Sequence, residues 1–161
     1  MIIETPKDSR NKYTYDERLN LFKLKNVLPA GASFPYDFGF LPGTLGEDGD
    51  ALDVLVLMDE SAFAGCLVPA RLIGVIEADQ TEDGGKRVTN DRIIAVSANS
   101  PVHSHITSLR DVGKNLLLEI EHFFDSYNRL GGRAFKVTGR LGTTRALEVI
   151  RRGEKLYRSK I

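Results

Sequence analysis

The hydrophobic pattern of the chain changes near residue 100, and this change constrains the fold more than any other feature of the sequence. Before it, apolar residues alternate with polar ones or form short runs between turn-forming residues, which is typical of β-strands. The ranges that fit this description are 2–4, 12–15, 19–25, 51–58, 66–79 and 92–98. Residues 27–50, rich in Gly, Pro and aromatic residues, predict an ordered loop, and residues 80–91 predict a turn.

Beyond residue 100 the spacing of apolar residues favours helices. Between Leu116 and Leu130 they recur at steps of three and four residues, which places them on one face of a helix that Gly131 would end. Residues 133–142 predict a strand, and residues 143–161 predict a final helix that could break at Gly153. An order of several strands followed by helix, strand and helix predicts a mainly β fold of the α+β class, a small barrel with helices outside.

Length and composition narrow the possible functions. A chain of 161 residues predicts a single domain over residues 1–161, and its 22 basic and 22 acidic residues argue against a nucleic-acid partner. No apolar run approaches the roughly 20 residues of a membrane span, and the first residues lack the apolar core of a secretion signal. We therefore expect a cytoplasmic protein. Cys66 is the only cysteine, which excludes an internal disulfide and a CxxC metal site.

A cluster of carboxylates stands where an apolar strand is predicted to begin, in the sequence GEDGDALDVLVL of residues 46–57. Asp48, Asp50 and Asp53 would repel one another by about 3 kcal/mol per pair at about 5 Å and an effective dielectric constant of 20. No Lys or Arg lies between residues 26 and 71 to offset this repulsion. A divalent cation would offset it, and Mg²⁺ suits a few carboxylate ligands because it retains part of its water shell.

The same residues have two other interpretations. A turn stays open, and a calcium-binding loop is excluded by the pattern. Asp-Gly sequences favour turns, which accounts for Asp48 to Asp50 but not for Asp53 at the start of the strand. The calcium-loop pattern fails because Leu52 occupies its third ligand position. The sequence contains no GxxxxGK[ST] motif, so a P-loop nucleotide site is excluded.

Four blocks of the sequence resemble one known family in the same order. They are IIETP at residues 2–6, the pair Lys12-Tyr13, DGDALDVLV at residues 48–56 and EIEHFFDSYN at residues 119–128. The third block is similar to Asp-x-Asp-Pro-x-Asp-Val, with Ala51 in place of Pro. This is the signature of the family I soluble inorganic pyrophosphatases, and the similarity extends over nearly the whole chain.

The resemblance implies Mg²⁺-dependent hydrolysis of pyrophosphate to two phosphates, with Mn²⁺ as a substitute metal. It implies a closed five-stranded OB-like barrel with two or three outer helices, and a homo-oligomer, since hexamers are common among bacterial members. By motif position, Asp48 and Asp53 would bind metal and Glu4 would bind an outer metal. Asp50 would be the base that helps to deprotonate the attacking water.

Phosphate contacts and a second acidic region also follow from the resemblance. Lys12 and Tyr127 would contact phosphate oxygens, and Arg92 matches a family lysine by its distance from the following strand. The family's acidic turn and its Asp-x-Lys would supply further metal ligands, here Asp83 and Asp91. Alternatives for these ligands remain, namely Asp79, Glu82 and Asn90, of which Asn90 holds the family's Asp position by spacing.

Several positions depart from the family pattern, at phosphate contacts and outer metals rather than at the three aspartates. They are Thr14, Asn26, Phe34, Phe38 and Asn128. These departures keep two alternatives open besides a pyrophosphatase. One is a hydrolase of another phosphoanhydride, such as a nucleotide or short polyphosphate, and the other is an OB-like module that binds a phosphorylated ligand without turnover.

Overall fold

A computed structural model describes residues 1–81 and 84–160 of the chain. Within these ranges the strands are β1 (Ile2–Thr5), β2 (Asn11–Asp16), β3 (Leu21–Val27), β4 (Asp37–Phe40), β5 (Asp53–Leu57), β6 (Ala70–Thr81), β7 (Arg87–Thr89), β8 (Arg92–Ser97) and β9 (Phe135–Leu141). The helices are α1 (Leu109–Val112), α2 (Lys114–Leu130) and α3 (Thr143–Lys160). The mixed α+β class predicted from the sequence is therefore confirmed.

The strands form one large sheet and one hairpin. The large sheet has the order β1-β4-β5-β8-β6-β7, with β9 also paired to β6, and within residues 1–81 and 84–160 only β5 and β8 pair in parallel. β2 and β3, which overlap the predicted strand ranges 12–15 and 19–25, pair with each other as a separate antiparallel hairpin. The closed five-stranded barrel is not confirmed, because the strand pairings among the described residues follow an open path from β1 to β7 and β9.

The core lies on both faces of the large sheet, which explains why β5 is apolar without alternation. Leu55 and Leu57 face a cluster that α2 covers with Phe124, whereas Val54 and Val56 face a second cluster that α3 covers. All four strand residues are fully buried. A strand buried on both faces has no polar positions to alternate with.

Two strands and one helix differ from the sequence predictions. β4 lies in the predicted loop 27–50, where Gly39 permits the pairing with β1 because an added Cβ would lie 1.9 Å from the Ile2 carbonyl oxygen. β7 lies in the predicted turn 80–91. α3 continues through Gly153 without a break. Across residues 1–81 and 84–160, none of the helices has the length and apolar character needed to cross a bilayer.

Candidate active site

A pocket of about 1010 Å³ opens between β1, the β2–β3 hairpin, the start of β5 and the ends of α2 and α3. Seven of the nine predicted site residues line it: Glu4, Lys12, Asp48, Asp50, Asp53, Arg92 and Tyr127. These residues come from six separate parts of the chain, and the fold brings them together. Asp91 does not line the pocket, and Asp83 lies outside the described residues.

The segment of residues 44–52, here named the aspartate loop, presents Asp48 and Asp50 to the pocket through a tight turn. The Gly46 amide donates to the Asp50 carbonyl at 2.7 Å, and Gly49 has a φ of 90°, which glycine adopts without strain. The Asp50 amide donates to Oδ1 of Asp48 at 3.1 Å. The turn, one of the two interpretations that the sequence left open for Asp48 to Asp50, is therefore present, and metal binding by these residues stays a prediction.

Asp53 begins β5 and forms an ion pair with Arg92, the first residue of β8. Oδ2 of Asp53 lies 2.6 Å from Nη1 of Arg92. The guanidinium carbon stands 4.9 Å from the ring centre of Phe124, and the side chain is almost fully buried. Among the described residues, Nε of Arg92 is the buried side-chain donor that has no hydrogen-bond acceptor. Arg92 therefore neutralises one of the aspartates and keeps an unused donor.

Glu4 and Lys12 form a second ion pair in the same pocket. Nζ of Lys12 lies 3.0 Å from Oε2 of Glu4 and 4.1 Å from the ring centre of Phe38, and both charged residues are buried. Oε1 of Glu4 accepts from the Thr14 hydroxyl at 3.2 Å and from the Tyr15 amide at 2.7 Å. Burial lowers the pKa of Lys12, while the adjacent Glu4 charge opposes that shift. Thr14, a departure from the family pattern, thus acts as a donor to Glu4.

The electrostatic environment favours a bound cation near the aspartates. Loss of solvent raises the pKa of Asp48 to about 6, and the neighbouring Asp53 and Asp50 charges add to this rise. Burial also raises the pKa of Asp53, against the effect of Arg92 and Lys12. Tyr127 shows the same trend, because burial and the Asp53 charge raise its pKa. A positive ion in the pocket would stabilise the charged carboxylates.

The donor set fits Mg²⁺ held partly by water and substrate. Asp48 and Asp50 form no ion pair with any residue in the described ranges, and their oxygens are the hard donors that Mg²⁺ prefers. No three acidic, His or Cys side chains of residues 1–81 and 84–160 converge into a ready metal cluster. Mg²⁺ is commonly bound by one or two carboxylates, several waters and phosphate oxygens, so such a cluster is not required.

Asn90 and Asp91 lie on opposite sides of the chain at the start of β8. Asn90 lines the main pocket, where its Nδ2 donates to the Gln80 side chain at 3.0 Å and its Oδ1 accepts from Arg92. Asp91 lines a second cavity of about 260 Å³ instead, and its Oδ1 accepts from the Ala78 amide at 3.2 Å. Successive residues of an extended chain point to opposite sides, which explains the separation. Asp79, another acidic alternative, also lines the second cavity, and Glu82 lies outside the described residues.

The remaining departures from the family pattern have visible roles. Phe34 and Phe38 are buried in the wall of the pocket, where they pack against each other. Asn128 is buried, and its amide donates to the Phe124 carbonyl within α2 at 2.8 Å. Asn26 accepts from the Val27 amide through its side-chain oxygen, at the exposed end of β3.

Two pocket residues of α3 did not emerge from the sequence. Tyr157 and Lys160 line the pocket from the last turns of the helix. They follow Gly153 by four and seven residues, so they share its helical face. The sequence signal that could have found them is their helical spacing from Gly153, the one glycine in the predicted final helix.

Comparisons with known proteins agree with this geometry. A sequence model of the family described as inorganic pyrophosphatase matches residues 1–158. The inorganic pyrophosphatase of Synechocystis is 37% identical over 98% of this chain and 90% of its own length. The Nostoc inorganic pyrophosphatase is 42% identical over 86% of this chain and 79% of its own length.

Solved structures show the same relationship. The crystal structure of the inorganic pyrophosphatase from Thermus thermophilus matches with a TM-score of 0.89 and 37% identity, covering 98% of this chain and 90% of that chain. The inorganic pyrophosphatase from Helicobacter pylori matches with a TM-score of 0.89 and 33% identity, over 98% of this chain and 91% of that chain. A family match over almost the whole sequence, relatives above 30% identity and a common fold lead to one conclusion: the chain belongs to the inorganic pyrophosphatase family.

Proposed function

We propose that this chain hydrolyses inorganic pyrophosphate to two phosphates in the pocket described above, with Mg²⁺ as the metal. The observation that carries the proposal is that three aspartates line one pocket together with the buried cations Lys12 and Arg92. Phosphoryl transfer depends mainly on neutralising charge and aligning the reacting oxygens, and this pocket holds groups for both tasks. Membership of the family supports the same substrate.

The aspartates would hold the metal. Asp48 and Asp53 are the proposed ligands, and Glu4 is proposed to hold an outer ion in exchange for one of its present donors. Bound Mg²⁺ supplies charge neutralisation and lowers the pKa of a coordinated water. Asp83 stays a prediction, and Asp91 has no part in the proposal because its carboxyl faces the second cavity.

The chain's own residues would perform the proton transfer and hold the substrate. Asp50 accepts a proton from the attacking water as the new P–O bond forms and the bridging P–O bond breaks. Lys12, Arg92 and Tyr127 donate to phosphate oxygens, since all three residues line the pocket. The second phosphate leaves with the bridging oxygen and takes up a proton.

A second candidate substrate class is another phosphoanhydride, such as a nucleoside triphosphate or tripolyphosphate. Two observations favour it: the pocket is large, at about 1010 Å³, and Phe34 and Phe38 provide no hydroxyl donors in its wall. A larger substrate would use volume that pyrophosphate leaves to water and metal ions.

A substrate panel tests the proposal. Phosphate release is measured from pyrophosphate, ATP and tripolyphosphate, each with Mg²⁺, with Mn²⁺ and with EDTA. We expect metal-dependent release from pyrophosphate in preference to the other two substrates. Release mainly from ATP or tripolyphosphate would show that the substrate belongs to the second class and not that it is pyrophosphate. Release from none, with a folded protein, would contradict enzymatic function and favour the binding module.

We also propose that the chain forms a homo-oligomer, with a hexamer as the assembly that the resemblance implies. Large apolar side chains are exposed on two neighbouring segments, including Leu21 of β3 and Phe63 and Leu67. The Phe22 ring packs on Gly65, which brings the two segments together. Apolar surface of this kind is typical of protein interfaces.

A further inference from the structure

Helix α3 contacts the aspartate loop at one glycine. The Leu45 amide donates to the Gly153 carbonyl at 3.0 Å, and Gly153 is buried in the middle of the helix. Leu45 is near the start of the loop, and it also lines the main pocket. This bond connects the backbone that precedes Asp48 directly to α3.

A side chain at Gly153 would displace the Leu52 side chain and press on the Leu45 backbone. An added Cβ would lie 2.7 Å from Cδ1 of Leu52 and 3.3 Å from the Leu45 carbonyl oxygen. Leu45 and Leu52 stand near the two ends of the loop, so both ends meet the helix at this residue. Glycine destabilises the interior of a helix, so its presence in α3 needs a reason. The close approach of the aspartate loop supplies that reason.

A charged contact joins the middle of the loop to the same turn of the helix. Arg152 forms an ion pair with Glu47, the residue before Asp48. Glu47 also accepts from the Thr89 amide of β7 at 3.3 Å. The loop is thus attached to α3 at Leu45, Glu47 and Leu52, on both sides of its turn.

The orientation of the two loop aspartates follows from these attachments. Asp50 and Asp48 are joined to each other through the amide-to-carboxylate bond, and Asp50 is joined to Gly46 through the backbone. Neither aspartate forms an ion pair with a residue of the described ranges. The turn is therefore connected internally, and its contacts with α3 and with Thr89 of β7 attach it to the rest of the fold.

The helix is itself fixed to the core on the same face. Ala146, seven residues before Gly153, is fully buried in the cluster beneath the sheet. Tyr157, four residues after Gly153, reaches the main pocket. One face of α3 thus runs from the core, past the aspartate loop, to the active-site pocket.

We propose that Gly153 and Arg152 are positioning residues that hold the aspartate loop in the geometry in which Asp48 binds metal and Asp50 acts as the base. The role in metal binding rests on the proposed function. The mechanism is the close backbone contact at Gly153 together with the ion pair between Arg152 and Glu47. Displacing α3 from the loop would move both carboxylates together and weaken binding of the divalent ion, since such sites depend on supporting residues for precise placement.

The test uses Gly153→Ala and Arg152→Gln in the full chain, with Arg151→Gln as the matched control on the exposed neighbour. Hydrogen exchange of residues 44–52, Mn²⁺ affinity by titration and melting temperature are measured for each. We expect faster exchange in the loop and a Mn²⁺ Kd raised about tenfold for Gly153→Ala, and smaller changes in the same direction for Arg152→Gln. Arg151→Gln should match wild type in every measurement.

A second-site change separates positioning from general destabilisation. Leu52→Ala removes the side chain that the new Cβ would meet, so Gly153→Ala/Leu52→Ala should recover slow loop exchange and Mn²⁺ affinity relative to Gly153→Ala. If Gly153→Ala does not fold, Arg152→Gln decides the proposal.

The outcomes separate this proposal from the proposed function. Faster loop exchange and weaker Mn²⁺ binding in a protein that does not hydrolyse pyrophosphate would support positioning while contradicting the function. Unchanged loop exchange and Mn²⁺ affinity in folded Gly153→Ala and Arg152→Gln would overturn the proposal, whatever the wild-type activity is.

Discussion

At the scale of single residues, the pocket combines carboxylates that form an ion pair with a lysine or arginine and carboxylates that form none in the described ranges. Asp53 is paired with Arg92 and Glu4 with Lys12, whereas Asp48 and Asp50 have no ion pair in the described ranges. A buried ion pair is costly to break, because the remaining charge loses its partner without regaining water. The pairs therefore fix the walls of the pocket, whereas Asp48 and Asp50 keep their charges for the proposed roles of metal ligand and proton acceptor.

Removing Arg92 should destabilise the protein in the absence of metal. Arg92→Gln leaves Asp53 without its partner, and we expect the free energy of unfolding to fall by about 3 kcal/mol in urea titrations with EDTA. Excess Mg²⁺ should reduce the loss, since a cation near Asp53 replaces part of the missing charge.

A surface pair provides the control for this prediction. Arg129→Gln removes the partner of Asp125 on the exposed side of α2, where the expected loss is about 0.5 kcal/mol or less. Equal losses for Arg92→Gln and Arg129→Gln would show that the Arg92–Asp53 pair has no special role in stability.

At the scale of secondary-structure elements, the sequence predicted what depends on local pattern and missed what depends on pairing. The apolar run of β5 and the periodic face of α2 identify both elements directly. β4 was missed because its place depends on Gly39 contacting β1, which is distant in sequence. The signature aspartates could be predicted because their motif is local, but the side on which Asp91 emerges depends on the register of β8.

The start of α1 carries a pH-dependent contribution to stability. Oδ2 of Asp111 accepts from the Thr107 and Ser108 amides at 2.8 and 2.9 Å, and these bonds lower the pKa of Asp111 to about 2. The unfolded chain has a pKa of about 3.9 for Asp, so the stabilisation is present above that pH and is lost as pH falls towards 2.

Comparison with Asp111→Asn tests the sign of this effect. Urea unfolding should show the wild type more stable than Asp111→Asn at pH 7, with a difference that shrinks as pH is lowered from about 4 towards about 2. A difference that stays constant over this range, or grows, would contradict the assignment.

At the scale of the whole molecule, the fold brings together residues that lie more than a hundred positions apart in sequence. Glu4, Asp53, Arg92 and Tyr127 line one pocket although each belongs to a different element. The family resemblance predicted this convergence, which local pattern alone could not. The barrel closure that it also implied is not confirmed by the strand pairings of the described residues.

Self-association is the whole-molecule prediction. Light scattering after size exclusion should give a mass that is a multiple of 17.9 kDa, and Phe63→Ser should lower it because the exposed ring leaves an apolar contact. Val102→Ser, which changes another strongly exposed apolar residue, serves as the control. A wild-type mass of one subunit would contradict the proposed oligomer.

The central claim is that Asp50 of the aspartate loop would accept the proton of the water that attacks pyrophosphate. The most direct measurement is the rate of phosphate release from pyrophosphate at saturating Mg²⁺ for wild type, Asp50→Asn and the surface control Asp125→Asn. We predict that Asp50→Asn lowers kcat by about a hundredfold or more, as expected for loss of a general base, while Asp125→Asn does not. A folded Asp50→Asn variant that retains the wild-type rate would contradict the account.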